Sequence, residues 1–138
     1  NIDAHKLAKR VSLHETDTMT ALTKGPKFDL ILSNPPYEPE GIYRRLPAEF
    51  KKEPKGSLVS GKDGLDVIRK LLTQAREALK PHGILVIEVG GLQKTMHLAW
   101  PKLPIMWLPT ADGADCVCLI HAPDLRRELP SPSARRGR

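Results

Sequence analysis

The chain has 138 residues, about the size of one domain, and is 40% hydrophobic and 28% charged, ordinary values for a globular protein with a real core. No uninterrupted apolar run approaches the roughly 20 residues of a membrane span, and the polar start NIDAHKLAKR has no signal-peptide apolar stretch. No membrane-spanning helix is therefore expected, and a cytoplasmic location is the expectation. The formal charge of +6 is unevenly spread: five arginines and one glutamate between Arg126 and Arg138 carry +4 of it. The remainder of the chain is close to balanced and offers no broad phosphate-binding face.

In chain order, residues 1–9 read as the end of a helix, and residues 10–14 as a short strand because Val11 and Leu13 alternate with polar neighbours. Thr16, Asp17 and Thr18 offer capping side chains before a helical turn at Met19–Leu22. Lys24-Gly25-Pro26 is a turn. Phe28 to Leu32 is nearly continuous in apolar character, which predicts a strand buried on both faces of a parallel sheet. Residues 34–62 form a long proline-rich connection, and connections of that length tend to be functional.

Asp63 is placed to cap a helix over 64–80, with apolar residues at 65, 68, 71, 72, 75 and 79. Pro81-His82-Gly83 ends it, and residues 84–89 give a second buried strand. After Gly90-Gly91 a short helix covers 92–99. Residues 104–108 and 116–120 are two final strands joined through Ala111-Asp112-Gly113, a link too short for a parallel crossover, so they form an antiparallel hairpin at one edge. The fold class is α/β, with a mainly parallel sheet. Residues 1–123 make the folded domain, and residues 124–138, rich in arginine, proline and serine, read as a basic disordered tail. Cys116 and Cys118 are spaced for two small buried residues rather than a disulfide framework, and the five scattered histidines make no metal-binding pair.

Asn34-Pro35-Pro36-Tyr37 carries the chemistry. It follows a buried strand at its carboxyl end, the edge at which open parallel sheets bind ligands. Two consecutive prolines stiffen the backbone and remove two donors while keeping their carbonyls. The Asn34 side-chain oxygen and the Pro35 carbonyl together could take both hydrogens of a planar NH2 group, with the Tyr37 ring covering it. Holding a weak nitrogen nucleophile in near-attack geometry is the main lever available without a strong base.

The stretch FDLILSNPPY resembles motif IV of the class I, S-adenosylmethionine-dependent (Rossmann-like) methyltransferases that act on amino groups. From Leu46 to Gly90 the chain resembles the HemK/PrmB family of protein-(glutamine-N(5)) methyltransferases. The Leu-Pro-Ala-Glu-Phe and Glu53-Pro54 segments look more like the PrmB branch, which methylates a large-subunit ribosomal protein; the other branch modifies release factors. The resemblance covers roughly residues 1–122.

It implies that S-adenosyl-L-methionine is the cofactor and that a protein, a ribosomal one before a release factor, is the substrate. It also implies that Asn34 contacts cofactor and glutamine amide, that Pro35 takes the second amide hydrogen, and that Pro36 and Tyr37 line the pocket. Asp17 resembles the acidic residue near the adenine, although it reads equally well as a helix cap. Ser60-Gly61-Lys62-Asp63-Gly64 reads as a structural cap.

The family's glycine-rich cofactor loop has no counterpart here, since no glycine occurs between Asn1 and Lys24. The family pattern therefore predicts five of the usual seven strands, with the first two missing, and a chain inactive alone. Two other readings stay open, a nucleic-acid amino-methyltransferase acting on adenine or guanine and a non-catalytic remnant. The basic tail would allow a weak RNA contact.

Overall fold

A computed structural model describes residues 1–111 and 113–130, with the backbone alone at Lys51. Four strands and four short to medium helices follow one another as β1 (Phe28–Ser33), α1 (Glu40–Tyr43), α2 (Asp66–Ala78), β2 (Leu79–Glu88), α3 (Gln93–Ala99), β3 (Met106–Leu108), β4 (Val117–His121) and α4 (Ala122–Glu128). The strands form one sheet in the order β1-β2-β4-β3. β1 runs parallel to β2, while β4 is antiparallel to both β2 and β3. The α/β class and the closing hairpin are as expected, with Trp107 opposite Cys118. The sheet is not mainly parallel, because only one of its three pairings is.

The difference begins at the N-terminus. Residues 10–14 do not form a strand, and Val11 and Leu13 stand 42% and 85% exposed. Alternation alone cannot hold a strand that has no neighbour to complete its ladder. Residues 1–9 are a series of turns, not a helix, with Lys6 in the left-handed region at φ 55. The sheet thus has four strands among the described residues, where five were expected. β1 is an edge strand for the same reason. Ile31 is buried, but Leu30 and Leu32 are 46% and 69% exposed, so burial on both faces does not hold.

β2 is one of the two inner strands, between β1 and β4. Leu85, Ile87 and Val89 are fully buried and their neighbours half-buried. It begins at Leu79, straight after α2, and its register with β1 jumps between Leu79 and Ile84. Pro81-His82-Gly83 therefore bulges within the strand rather than separating helix from strand.

α2 follows its apolar spacing, and Ile68, Leu71, Leu72, Ala75 and Ala78 are buried. Burying that stripe, at roughly 1.5–3 kcal/mol for each large side chain, anchors the helix to the sheet. α4 packs against both α2 and β2, and this corrects the tail boundary. Ala122, Leu125 and Leu129, at helical spacing, belong to the core, and Arg126 Nη2 donates to the Leu79 carbonyl at 2.7 Å. Arg127 stands on the exposed face of an amphipathic helix whose inner face is apolar, so composition averaged over the segment concealed a folded element. Arg135, Arg136, Arg138 and the link residue Asp112 lie outside the described residues. Among the described residues no helix is long and apolar enough to cross a membrane.

Cys118 is fully buried, and burial pushes its thiol up to about 12. Cys116 lies just before β4 and is half-buried, not buried as the pair was expected to be; both are free.

Candidate functional site

β1 delivers Asn34-Pro35-Pro36-Tyr37 at its carboxyl end, beside the end of β2. The four residues line one cavity of about 310 Å³. Pro35 is buried, Pro36 and Tyr37 are half-buried, and Asn34 is exposed. Among the described residues no hydrogen bond engages the Asn34 side chain, and outside the sheet ladder no amide donates to the Pro35 carbonyl. A rigid carbonyl and a neutral amide side chain are thus both available at the cavity wall.

Two glycines make room for Tyr37. Gly90, at φ +51, follows β2, and a Cβ there would lie 2.6 Å from the Tyr37 ring. Gly64, at φ +80, precedes α2, and a Cβ there would collide with the Tyr37 carbonyl oxygen. Only glycine adopts both conformations without strain. Burial, followed by the nearby charges of Glu88 and Glu38, raises the Tyr37 phenol above its ordinary value. The ring is neutral at pH 7 and acts as an apolar wall.

The long connection returns to the motif. Glu38 N–H donates to the Leu58 carbonyl at 2.8 Å, and Ser60 N–H to the Glu38 carbonyl at 2.9 Å. Glu40 N–H donates to the Gly61 carbonyl at 2.8 Å. These bonds close the loop over the cavity, whose remaining wall includes Leu46, Phe50, Glu53 and Ser57. Motif logic did not assign these residues a place at the site. The Glu53-Pro54 pair was visible as a family mark, but only the loop closure carries its carboxylate to the cavity.

The Ser60–Gly64 segment supports the start of α2, which begins at Asp66 with Leu65 and not Asp63 at the N-cap position, so Ser60 supplies the bond to the first turn. Ser60 Oγ accepts the Val67 N–H at 2.8 Å, inside the first turn of α2, and Asp63 Oδ1 accepts the Leu65 N–H at 3.1 Å. Arg69 pairs with Asp63 and, at 3.0 Å, with Asp66. Hydrogen bonding from Arg69 holds the Asp63 carboxyl down at about 2.

Asp17 is not brought to the cavity. It is exposed, and its side chain accepts a bond from Thr18 Oγ1 at 3.3 Å. Nor does it cap a helix, because the 3-10 turn Thr20–Leu22 starts at Met19 without a side-chain cap. Gln74 holds this segment against α2 by bonds to Thr18, Met19 and Thr20.

Comparison with known proteins agrees with the motif. The chain is 42% identical over 126 residues to the ribosomal protein uL3 glutamine methyltransferase of Bradyrhizobium diazoefficiens. It is 36% identical over 131 residues to that of Burkholderia pseudomallei and 38% over 128 residues to that of Neisseria gonorrhoeae. The chain is similar to one part of these ribosomal protein uL3 glutamine methyltransferases. These matches take in 91–93% of the chain but 39–43% of each relative, so the chain spans about 40% of the length of the curated relatives it matches. No family model matches the sequence. The resemblance read from the motif is borne out over that shared part.

S-adenosylmethionine fits the described residues only in part. Asn34 is available beside the cavity, but Gly90-Gly91 is not a cradle for it. The space beside Gly90 is filled by the Tyr37 ring, and no third glycine follows within that turn.

Proposed function

We propose that this chain carries the amide-binding half of a methyltransferase acting on a glutamine side chain of ribosomal protein uL3, with S-adenosylmethionine as methyl donor. The observation that carries the reading is the cavity at the end of β1, walled by Asn34, Pro35, Pro36 and Tyr37, in a chain whose relatives bear that name. The donor, when bound, supplies an electrophilic methyl group. The chain's own residues orient the acceptor: the Asn34 oxygen and the Pro35 carbonyl take the two amide hydrogens, which directs the nitrogen lone pair. Tyr37 excludes water from the amide face. Glu38 and Glu53 make the cavity wall acidic, which suits a substrate segment rich in lysine and arginine.

The described residues lack a complete cofactor cradle, so the chain alone is inactive and methylates only together with the remaining part of the fold that its relatives possess. The reaction then belongs to the cytoplasm, where ribosomal proteins are made. The Asp17 carboxylate reaches the adenine only if that remaining part reshapes the segment before β1. No observation favours transfer to adenine or guanine, or a non-catalytic remnant.

The test is methylation of purified uL3 by a protein that joins this chain to the missing part, read as a mass gain of one methyl group on a glutamine. Asn34→Ala lowers turnover on the order of 100- to 1,000-fold, as loss of one preorganised polar contact does. Turnover by Asn34→Ala close to that of the parent would overturn the amide-clamp reading.

A further inference from the structure

A second depression of about 560 Å³ lies on the same connection as the amide cavity, with a wall of opposite charge. Arg44, Arg45, Lys55 and Lys62 line it, against one carboxylate, that of Glu40. Lys55 sits 3.4 Å from Glu40 and 5.8 Å from the centre of the Tyr43 ring, so the one anion and the one aromatic ring flank the same ammonium. The turn Lys55–Ser57 separates the two depressions, with Lys55 in the basic one and Ser57 in the amide cavity.

The chain's overall charge does not foretell this cluster, because folding gathers cations that are scattered in the sequence. Arg44 and Arg45 follow α1, while Lys62 is carried to them by the closure in which Glu40 N–H bonds the Gly61 carbonyl. Glu40 offsets the charge of Lys55, while Arg45 and Lys62 add further positive charge to the same concave surface and take no part in the core. Their chemistry matches a polyanion that places successive charges along a groove.

The geometry points to a binding site for the phosphate backbone of single-stranded or looped RNA. RNA supplies one phosphate per nucleotide and bases that can stack on the exposed part of Tyr43. An acidic polypeptide matches such a surface only where acidic residues run close together, whereas RNA repeats a phosphate at every nucleotide. The site does not depend on the methyl-transfer reading, since it uses none of the residues assigned to the amide. If both hold, the basic groove takes the RNA that accompanies a ribosomal protein while the acidic cavity takes the protein's glutamine segment.

The experiment is fluorescence anisotropy of the full 138-residue chain with a labelled single-stranded RNA, longer than the roughly 4–16 nucleotides such a groove covers, over a salt series. Arg45→Gln with Lys62→Gln is expected to weaken binding about tenfold at about 0.1 M salt. It should also flatten the logarithmic salt slope by about 1.4, the share of two phosphate contacts. Arg45→Lys with Lys62→Arg keeps both charges and should restore binding, which separates charge from misfolding. Replacing Arg135, Arg136 and Arg138 by glutamine should cost less than the groove variant. Binding by the groove variant within twofold of the parent would overturn the assignment. So would displacement of the RNA by poly-glutamate at equal charge concentration, which would mark the groove as a site for acidic polypeptides.

Discussion

At Gly90 and Gly64 the missing Cβ is what lets Tyr37 lie against the ends of β2 and α2, and so decides the shape of the amide cavity. Gly90 needs its freedom twice over, for a left-handed backbone at φ +51 and for clearance from the ring. An alanine there meets a backbone strain of about 1–2 kcal/mol and forces the ring to move. We expect Gly90→Ala to destabilise the fold by about 1–3 kcal/mol in urea unfolding and to open the cavity. Gly91 is the built-in control, since nothing lies within 4 Å of a Cβ placed on it. Gly91→Ala should stay within about 0.5 kcal/mol of the parent. Equal losses at the two positions would show that the turn, not the ring contact, sets the requirement.

At the scale of elements, two helices make opposite points about reading a sequence. α2 was legible because its apolar stripe repeats over thirteen residues, long enough for periodicity to outweigh the noise of single positions. The motif was legible for a related reason: two prolines beside an asparagine restrict the backbone so strongly that its role follows from local chemistry. α4 was not legible, because seven residues hold too few apolar positions to stand out from the charged residues around them. The strand expected at 10–14 failed for the converse reason, that two alternating residues carry a pattern but no partner.

The test of α4 is Leu125→Ala, which removes a fully buried side chain and should cost about 2–5 kcal/mol. Arg127→Ala breaks only the pairs of an exposed guanidinium with the half-buried Asp124 and Glu128 and should cost at most about 1 kcal/mol. A disordered segment would show neither loss.

The start of α2 adds a pH prediction. Asp63 is depressed from 3.8 to about 2 by Arg69, so it binds its proton more readily in the unfolded chain. Its contribution to stability is therefore fully present above about pH 4 and is lost as the pH falls towards 2. The pair is 41–45% exposed, so solvent screening keeps the effect small. Asp63→Asn should flatten the fall in melting temperature across that window at low salt and change little above pH 5.

For the molecule as a whole, the consequential feature is the outer side of β1. β1 pairs with β2 alone, so its other edge presents backbone donors and acceptors with no strand partner among the described residues. Leu30 and Leu32 stand exposed beside it, and Met19, Leu22, Phe28 and Leu71 border an apolar hollow of about 290 Å³ at the same place. Natural sheets protect such an edge with charge, proline, a bulge or a covering element; from Leu30 to Ser33 β1 has none of these.

The relatives extend well beyond the 39–43% of their length that this chain matches, so further structure is the natural cover. Without it the 138-residue chain should self-associate through this edge, with an apparent mass in light scattering that rises with concentration. Leu32→Lys should shift it towards monomer, because a lysine on an edge strand resists pairing while leaving the β2 side of the ladder intact. A monomer at every concentration, with cooperative unfolding and no response to Leu32→Lys, would mean that the edge is already protected and that this reading of β1 is wrong.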